Sequence, residues 1–217
     1  MSVKIVAVSD THGRHNSLKI PDGDIFIHAG DIAAYGTEAN LQDFNDFLGR
    51  LPHPHKIVIA GNHDFGIESD PQGSRRILSN CIYLQDNGCE VNGVHIYGSP
   101  WQPWFHDWAF NLQRGEEIRA KWELIPETTQ VLITHGPPYG YGDRTDQGLR
   151  VGCQDLLQVI ERIRPLVHIF GHIHEAYGII SNDHTKFINA SVVNREFMLS
   201  NAPIVFDLDV SNNLVKI

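Results

Sequence analysis

The chain has 217 residues, of which 41% are hydrophobic and 20% are charged, so we expect one domain over residues 1–217. Its formal net charge of -9 argues against a large nucleic-acid surface, because phosphate backbones require clustered Lys and Arg. No apolar run approaches the ~20 residues of a membrane span, and the first residues carry no secretory pattern. Three cysteines without CxxC spacing are typical of a reduced, cytoplasmic protein.

Five short runs rich in Val and Ile are predicted to be buried strands, because turn residues bound each of them. They are VKIVAVS (3–9), DIFIHAG (24–30), HKIVIAG (55–61), QVLITH (130–135) and LVHIFG (166–171). Two stretches between them, 40–51 and 154–165, carry their apolar residues on one helical face. Strands that alternate with helices predict βαβ units and a largely parallel sheet.

Two further segments are predicted to form β structure of another kind. Asn92-Gly93 lies between alternating runs and predicts an inserted antiparallel hairpin. The tail, from KFINAS to the last residue, is rich in strand formers and turns, and it predicts a second sheet packed on the first.

Each of the five predicted buried strands is followed by a side chain that can bind a metal ion. Because the carboxyl ends of strands line the ligand crevice of open α/β sheets, these side chains should converge. Taken singly, each has a structural alternative as a helix cap, a turn residue or a core histidine, but five matching positions favour a shared site. The candidate ligands are Asp10, His12, Asp31, Asn62, His135, His172 and His174.

Seven candidate ligands are too many for one ion and suit a centre of two divalent metal ions. Mixed His, Asp and Asn ligands favour Mn, Fe, Zn or Co over Ca; we expect Mn first, with Mg as a further alternative. A set without Cys argues against a closed structural zinc site. Because only two of the seven ligands are anionic, the loaded centre stays net cationic and would attract a phosphate ester.

The motifs DTH, GD, GNHD, THG and GHIH, in this order, resemble the five motifs of the calcineurin-like metallophosphoesterases. The flanking segments, such as GSPWQPWF and GHIHEAYG, resemble a subfamily that is regarded as acting on nucleotide phosphodiesters. The resemblance implies an α/β fold: a metallophosphoesterase-type sandwich of two mixed β-sheets flanked by helices. It also implies hydrolysis of a small-molecule phosphodiester, cyclic or linear and of the nucleotide type, by a metal-bridging hydroxide.

The resemblance further implies a role for each ligand and for one more histidine. One metal would be held by Asp10, His12 and His174, the other by Asn62, His135 and His172, and Asp31 would bridge the two. His63 would protonate the leaving group or stabilise the transferring phosphoryl group.

The second motif departs from that of the phosphoprotein phosphatases in the same superfamily. Those enzymes carry an Asp that orients the catalytic histidine, and Ala34 stands at that position here. A phosphoprotein phosphatase is therefore disfavoured. The partner that orients His63 stays open, and Asp64 is a candidate only by its proximity in sequence.

Three residues are candidates for substrate binding: Arg14, Asn62 and Trp101. Arg14 could clamp a phosphate or pair with a surface carboxylate. One ring of the aromatic stretch 99–110 could stack on a nucleobase, or the stretch could close the core beside the inserted hairpin.

Two alternatives to a phosphodiesterase remain at this point. A phosphomonoesterase of the same fold would use the same centre. A catalytically silent scaffold would be expected to lack ligands, and none of the seven is missing. The sequence leaves the oligomeric state and the native metal pair open.

Overall fold

Fourteen strands form two six-stranded sheets and one short ribbon in the computed structural model, which describes residues 2–217. Met1, the first residue of the expected domain, lies outside the described residues. The first sheet has the order β14 (Leu214–Lys216), β13 (Ile204–Asp209), β1 (Ser2–Val8), β2 (Ile25–Ala29), β3 (His55–Ile59) and β4 (Ile82–Tyr83). The second has the order β11 (Gly178–Ser181), β12 (Lys186–Asn189), β10 (Val167–Phe170), β9 (Val131–Thr134), β6 (Val94–Ser99) and β5 (Asn87–Val91).

Both sheets are mixed, as the resemblance implied. Strands β1 to β4 run parallel in the first sheet, and β13 joins β1 antiparallel. Strands β6, β9, β10 and β12 run parallel in the second, with β5 and β11 antiparallel at its edges. The ribbon pairs β7 (Gln102–Pro103) with β8 (Asn111–Leu112).

The prediction of one largely parallel sheet was wrong in one respect: the five predicted strands are divided between the two sheets. Strands β1, β2 and β3 lie in the first sheet, and β9 and β10 lie in the second. The tail is divided as well, because β12 joins the second sheet while β13 and β14 extend the first. Periodicity predicts that a strand is buried, but not which neighbour it pairs with.

Helices cover the outer face of each sheet. They are α1 (Glu38–Arg50), α2 (Phe65–Ser69), α3 (Pro71–Ile77), α4 (Glu116–Trp122) and α5 (Gln154–Ile163), with 3-10 turns at His15–Ser17 and His174–Ala176. Both helices expected from the sequence are confirmed, as α1 and α5. A capping box between Thr37 and Asn40 begins α1, and Arg164 in the left-handed region ends α5 before Pro165.

The core has three layers, which follow from the alternation of side chains along each strand. Ile5, Ile27 and Ile133 belong to the layer between the sheets. Phe26 packs outward with α1, and Leu132 packs outward with α4 and α5. All of these side chains are fully buried. Within residues 2–217, no helix combines the length and the apolar character needed to cross a membrane.

The inserted hairpin is confirmed by β5, β6 and the turn between them. Asn92 (φ 53°) and Gly93 (φ 76°) both have positive φ, as a type I′ turn requires. At the opposite end of the molecule, Ser9 after β1 and Ser191 after β12 form a parallel bridge. This bridge joins the two sheets where their carboxyl ends meet, and the candidate ligands follow those ends.

Candidate metal centre

The loops after β1, β2 and β10 are hydrogen-bonded to one another through the candidate ligands. The backbone N–H of Asp10 donates to the carbonyl of Gly30, and that of His12 donates to Asp31, both at 3.0 Å. The N–H of His172 donates to both carboxylate oxygens of Asp10, at 3.1 Å each. The first and second sheets therefore fix each other's candidate ligands in place.

Four candidate ligands hold backbone conformations that side chains other than glycine seldom adopt. The φ angles are 56° for Asp10, 44° for His12, 55° for Asp31 and 66° for His172. Each such residue costs of order 1–3 kcal/mol unless its surroundings compensate, and such residues cluster at functional sites. Their grouping at one point supports a functional rather than a structural role for this end of the sheets.

One half of the site consists of Asp10, His12 and His174. The Nε2 atom of His174 lies 3.5 Å from Oδ1 of Asp10 and 3.4 Å from Nε2 of His12. One ligand atom from each of the three residues lies within 4.8 Å of the others. This group matches the three residues that the resemblance assigned to one metal.

The other half is built around His135, with Asp31 between the halves. The Nε2 atom of His135 lies 2.8 Å from Oδ1 of Asn62 and 3.4 Å from Oδ1 of Asp31. The other carboxylate oxygen of Asp31 is 3.6 Å from Nε2 of His12. Asp31 thus reaches both halves, as a bridging ligand must.

His172 lies beside the half of the site that is built around His135. Its ring centroid is 5.1 Å from that of His135, and it lines the cavity described below. Within residues 2–217 it is not part of the three compact groups of carboxylates and imidazoles at this centre.

The donor atoms at this centre fit a metal ion. The Nδ1 atom of His174 contacts the carbonyl of Asn194 at 3.1 Å, and that of His135 contacts the carbonyl of Ala29 at 3.0 Å. Because a carbonyl only accepts, Nδ1 carries a proton in both rings, so Nε2 is the atom that can offer a lone pair beside the carboxylates once it has lost any proton of its own.

The carboxylates themselves are buried without a permanent positive charge. Asp10 is 0% exposed and Asp31 is 2% exposed. Across the described residues 2–217, no Lys or Arg forms a salt bridge with either one. Buried negative charges need a compensating positive charge, and a divalent metal ion held by carboxylate oxygens and imidazole nitrogens would supply it.

The electrostatics show what substitutes for a metal in the free chain. Burial favours neutral Asp10, but the hydrogen bond and charge of His174 hold the pKa of Asp10 below its usual value. Burial favours neutral His135, but the charge of Asp31 raises the pKa of His135 to about 9. Burial lowers the pKa of His12 to about 4. Burial favours neutral His174, but its hydrogen bond to Asp10 raises the pKa of His174. The proton on His135 therefore balances a buried carboxylate, and metal binding would release it.

His63 stands beside this centre and is held by the backbone. Its N–H donates to Oδ1 of Asp31 at 2.8 Å, and its Nδ1 lies 3.3 Å from the carbonyl of Ala34. One of its ring nitrogens is grouped with ligand atoms of His12 and Asp31. The main chain of Ala34 thus contacts the ring at the position where the related phosphatases carry a carboxylate.

Asp64 does not contact the ring of His63 among the hydrogen bonds of residues 2–217. Its fully buried carboxylate accepts the N–H groups of Gly61 (2.8 Å), Ile32 (3.2 Å) and Ala33 (3.3 Å). Burial and the charge of Asp31 raise the pKa of Asp64 to about 7, against these donors. Asp64 therefore ties the loop after β2 to the loop after β3, and the suggestion that it orients His63 is wrong.

A cavity of about 420 Å³ opens beside the candidate ligands. Its lining includes Asp31, Asn62, His63, His172 and His174, together with the aromatic residues Trp104, Phe105, Trp108 and Phe197. The centroid of the His63 ring lies 4.7 Å from that of Trp108 and 6.1 Å from that of Phe197. The cavity therefore combines a polar wall with an apolar one.

Two candidate substrate residues lie apart from this lining, whereas Asn62 belongs to it. Arg14 is exposed and is not among the residues that line the cavity. Trp101 donates to the carboxylate of Asp86 at 2.8 Å, and Lys121 lies 4.6 Å from its ring. Trp101 therefore links the hairpin to α4, which agrees with the alternative that the aromatic stretch closes the core. Other rings of the stretch line the cavity.

The turn around Phe197 was missed by sequence reasoning. Phe197 has a φ of 56°, and its ring lies 4.7 Å from the ring of His12 and 5.3 Å from that of His174. Asn194 accepts the N–H of Met198 with its side chain and contacts His174 through its carbonyl. No spacing or motif in the sequence marks this turn, because its position over the site depends on the path of the chain after β12.

Comparison with known proteins agrees with this geometry. Residues 3–176 match the sequence model of the calcineurin-like phosphoesterases. The chain is 43% identical to human metallophosphoesterase domain-containing protein 1 over 235 residues, which cover 97% of this chain and 72% of the human protein. It is 42% identical to a UPF0046 protein of Caenorhabditis elegans over 218 residues, covering 94% and 74%.

Solved structures show the same fold at low identity. One superposes with a TM-score of 0.72 at 17% identity, covering 100% of this chain and 98% of the other. The protein TT1561 of Thermus thermophilus superposes with a TM-score of 0.65 at 13% identity, again covering 100% and 98%. From the family match over most of its length, this chain belongs to the calcineurin-like phosphoesterases.

Proposed function

We propose that this chain is a phosphodiesterase that depends on two divalent metal ions and acts on small diesters of the nucleotide type. The observation that carries the proposal is the convergence of imidazole Nε2 atoms and two buried carboxylates beside an aromatic cavity. One metal is assigned to Asp10, His12 and His174, the other to Asn62, His135 and His172, with Asp31 shared. Mn is the first choice for this ligand set.

The two ions would supply Lewis-acid chemistry, neutralising the phosphoryl oxygens and making water nucleophilic at neutral pH. The protein supplies the proton for the leaving group. With the Nδ1 proton of His63 directed to the carbonyl of Ala34, its Nε2 is free to exchange a proton in the cavity. A positioned histidine can then protonate the departing alkoxide.

The aromatic wall supports a planar leaving group. Trp108 and Phe197 both lie near His63, so a group whose oxygen receives a proton from His63 would lie close to aromatic rings. Trp104 is 51% exposed and Phe105 49% exposed at the mouth of the cavity, available to a ligand. A nucleobase offers the flat face that such rings bind.

The charge of the lining supports a diester rather than a monoester. Two arginines line the cavity, and both have protein partners: Arg195 pairs with Asp146, and Arg114 donates to the carbonyls of Val151 and Gly152. A monoester dianion would need further free donors outside the metal centre, whereas a diester carries one charge.

The three cysteines are free thiols, which suits the cytoplasmic location expected from the sequence.

Hydrolysis of two aryl phosphates tests this proposal. Metal-stripped protein reloaded with Mn²⁺ should hydrolyse bis(4-nitrophenyl) phosphate at least tenfold faster than 4-nitrophenyl phosphate. Asp31→Asn should abolish the activity, and the control His184→Asn, an exposed histidine outside the cavity, should leave it unchanged. A preference for the monoester would replace the diesterase with a monoesterase, and inertness towards all esters would support a scaffold.

A further inference from the structure

Two buried histidines outside the proposed ligand set make matching contacts in the two sheets. His28 lies in β2, and its Nε2 is 2.9 Å from Oγ1 of Thr11. His168 lies in β10, and its Nε2 is 2.8 Å from Oγ1 of Thr134. Both histidines are 0% exposed. In each case the threonine follows or ends the neighbouring parallel strand, β1 or β9.

The direction of these hydrogen bonds follows from the second partner of each threonine. The hydroxyl of Thr11 donates to the carbonyl of Ile32 at 3.0 Å, and that of Thr134 donates to the carbonyl of Gly136 at 2.7 Å. A hydroxyl has one hydrogen, so each threonine must accept from the histidine. Both histidines therefore carry their proton on Nε2.

The other ring nitrogen of each histidine is left without a partner. The Nδ1 atoms of His28 and His168 are buried and form no hydrogen bond within residues 2–217. Burial lowers the pKa of both rings to about 3, so both are neutral and have a single N–H. The nearest rings are apolar, Phe44 at 5.0 Å from His28 and Phe170 at 5.0 Å from His168. An apolar side chain would avoid the unpaired nitrogen, so the presence of histidine at both positions needs another explanation.

The two threonines lie in the backbone that carries the proposed metal ligands. Thr11 stands between Asp10 and His12, and its acceptor, Ile32, directly follows Asp31. Thr134 and Gly136 flank His135. Each chain of hydrogen bonds thus runs from a histidine in the outer core, through a threonine, to a carbonyl beside a proposed ligand.

We propose that His28 and His168 are positioning residues, each of which fixes the backbone of the proposed metal ligands on one side of the centre. His28 acts through Thr11 on the segment of Asp10, His12 and Asp31, and His168 acts through Thr134 on His135. The proposal rests on the proposed function, because it requires a centre of two metal ions. The same arrangement of a histidine, a threonine and a backbone carbonyl thus occurs in both sheets, although the local sequences differ.

Metal titration of the stripped protein tests the proposal without relying on activity. His28→Leu and His168→Leu should weaken Mn²⁺ binding by tenfold or more in calorimetry, each mainly at one of the two ions. His28→Gln and His168→Gln should bind within about threefold of the wild type, since the amide N–H of glutamine can replace the Nε2–H donor. If the histidines were purely structural, the variants would lower the thermal stability of the metal-free chain, and the glutamine variants would not restore the Mn²⁺ affinity.

Two near-isosteric variants keep the test informative if the leucine variants do not fold. Thr11→Val and Thr134→Val remove only the hydroxyl, and they should weaken binding in the same pattern. Wild-type affinity in folded leucine and valine variants, or equal losses in the glutamine and leucine variants, would overturn this inference alone. A wild-type chain that bound fewer than two ions would overturn the proposed function, and this inference with it.

Discussion

Gly61 offers a steric test of the proposed centre, because a single methyl group would displace two proposed ligands. A Cβ at Gly61 would lie 2.3 Å from Oδ1 of Asp31 and 2.6 Å from Cε1 of His135. Ordinary van der Waals contacts between a Cβ and another heavy atom begin at about 3.4 Å, so the carboxylate of Asp31 would have to move by roughly 1 Å. Metal ligands tolerate about 0.2 Å. Gly61→Ala should therefore weaken binding of both ions at least tenfold and lower stability by about 1–3 kcal/mol.

The assay is calorimetric titration of the metal-stripped variant with Mn²⁺, accompanied by thermal unfolding to establish that it is folded. Gly136→Ala is the matched control: it also adds a methyl group beside His135, but its nearest contact, Cβ of Gln102, is 3.5 Å away. We expect the control to bind metal like the wild type. Unchanged affinity and stability in Gly61→Ala would refute the close packing of Gly61 against the proposed ligands.

Three further predictions concern a core histidine, a loop and the turn over the site. Because burial lowers the pKa of His168 to about 3, the unfolded chain binds a proton at this residue before the folded chain does, and the free energy of unfolding falls as the pH drops from 6.5 towards 3. In urea unfolding of the metal-free chain, His168→Gln should reduce the slope of that fall by about 1.4 kcal/mol per pH unit. Asp143→Ala should lower the free energy of unfolding by about 3 kcal/mol, because the buried carboxylate of Asp143 accepts hydrogen bonds from Arg150 and two backbone N–H groups. A change below about 1 kcal/mol in urea unfolding would contradict this. Phe197→Gly should change stability by less than about 1 kcal/mol, since glycine suits the positive φ, but should raise KM for aryl diesters severalfold; an unchanged KM would exclude the ring from the substrate path.

The sequence predicted the strands and the convergence of polar residues because both depend on local patterns. Five Val- and Ile-rich runs became β1, β2, β3, β9 and β10, and the residues after them meet at one end of the molecule. The division of these strands between two sheets could not be predicted from periodicity, which says nothing about pairing. The strand-rich tail and the resemblance to a family both predicted a second sheet, and the structure confirms it.

The surroundings of the site were beyond sequence reasoning because long-range contacts define them. The carbonyl of Ala34 contacts His63, and any residue type could provide that carbonyl. Phe197 follows His174 by more than twenty residues and returns to cover it. Trp101 and Trp104 are near neighbours in one aromatic stretch, and only the fold shows that one binds Asp86 while the other lines the cavity.

Under the proposed function, the residues that follow five strands hold two metal ions. Calorimetric titration of the stripped wild-type chain with Mn²⁺, repeated for His172→Ala and His174→Ala, would count these ions. We expect two ions per chain in the wild type and one in each variant, with a different ion lost in each. A single ion in the wild type, or loss of both ions from either variant, would contradict it.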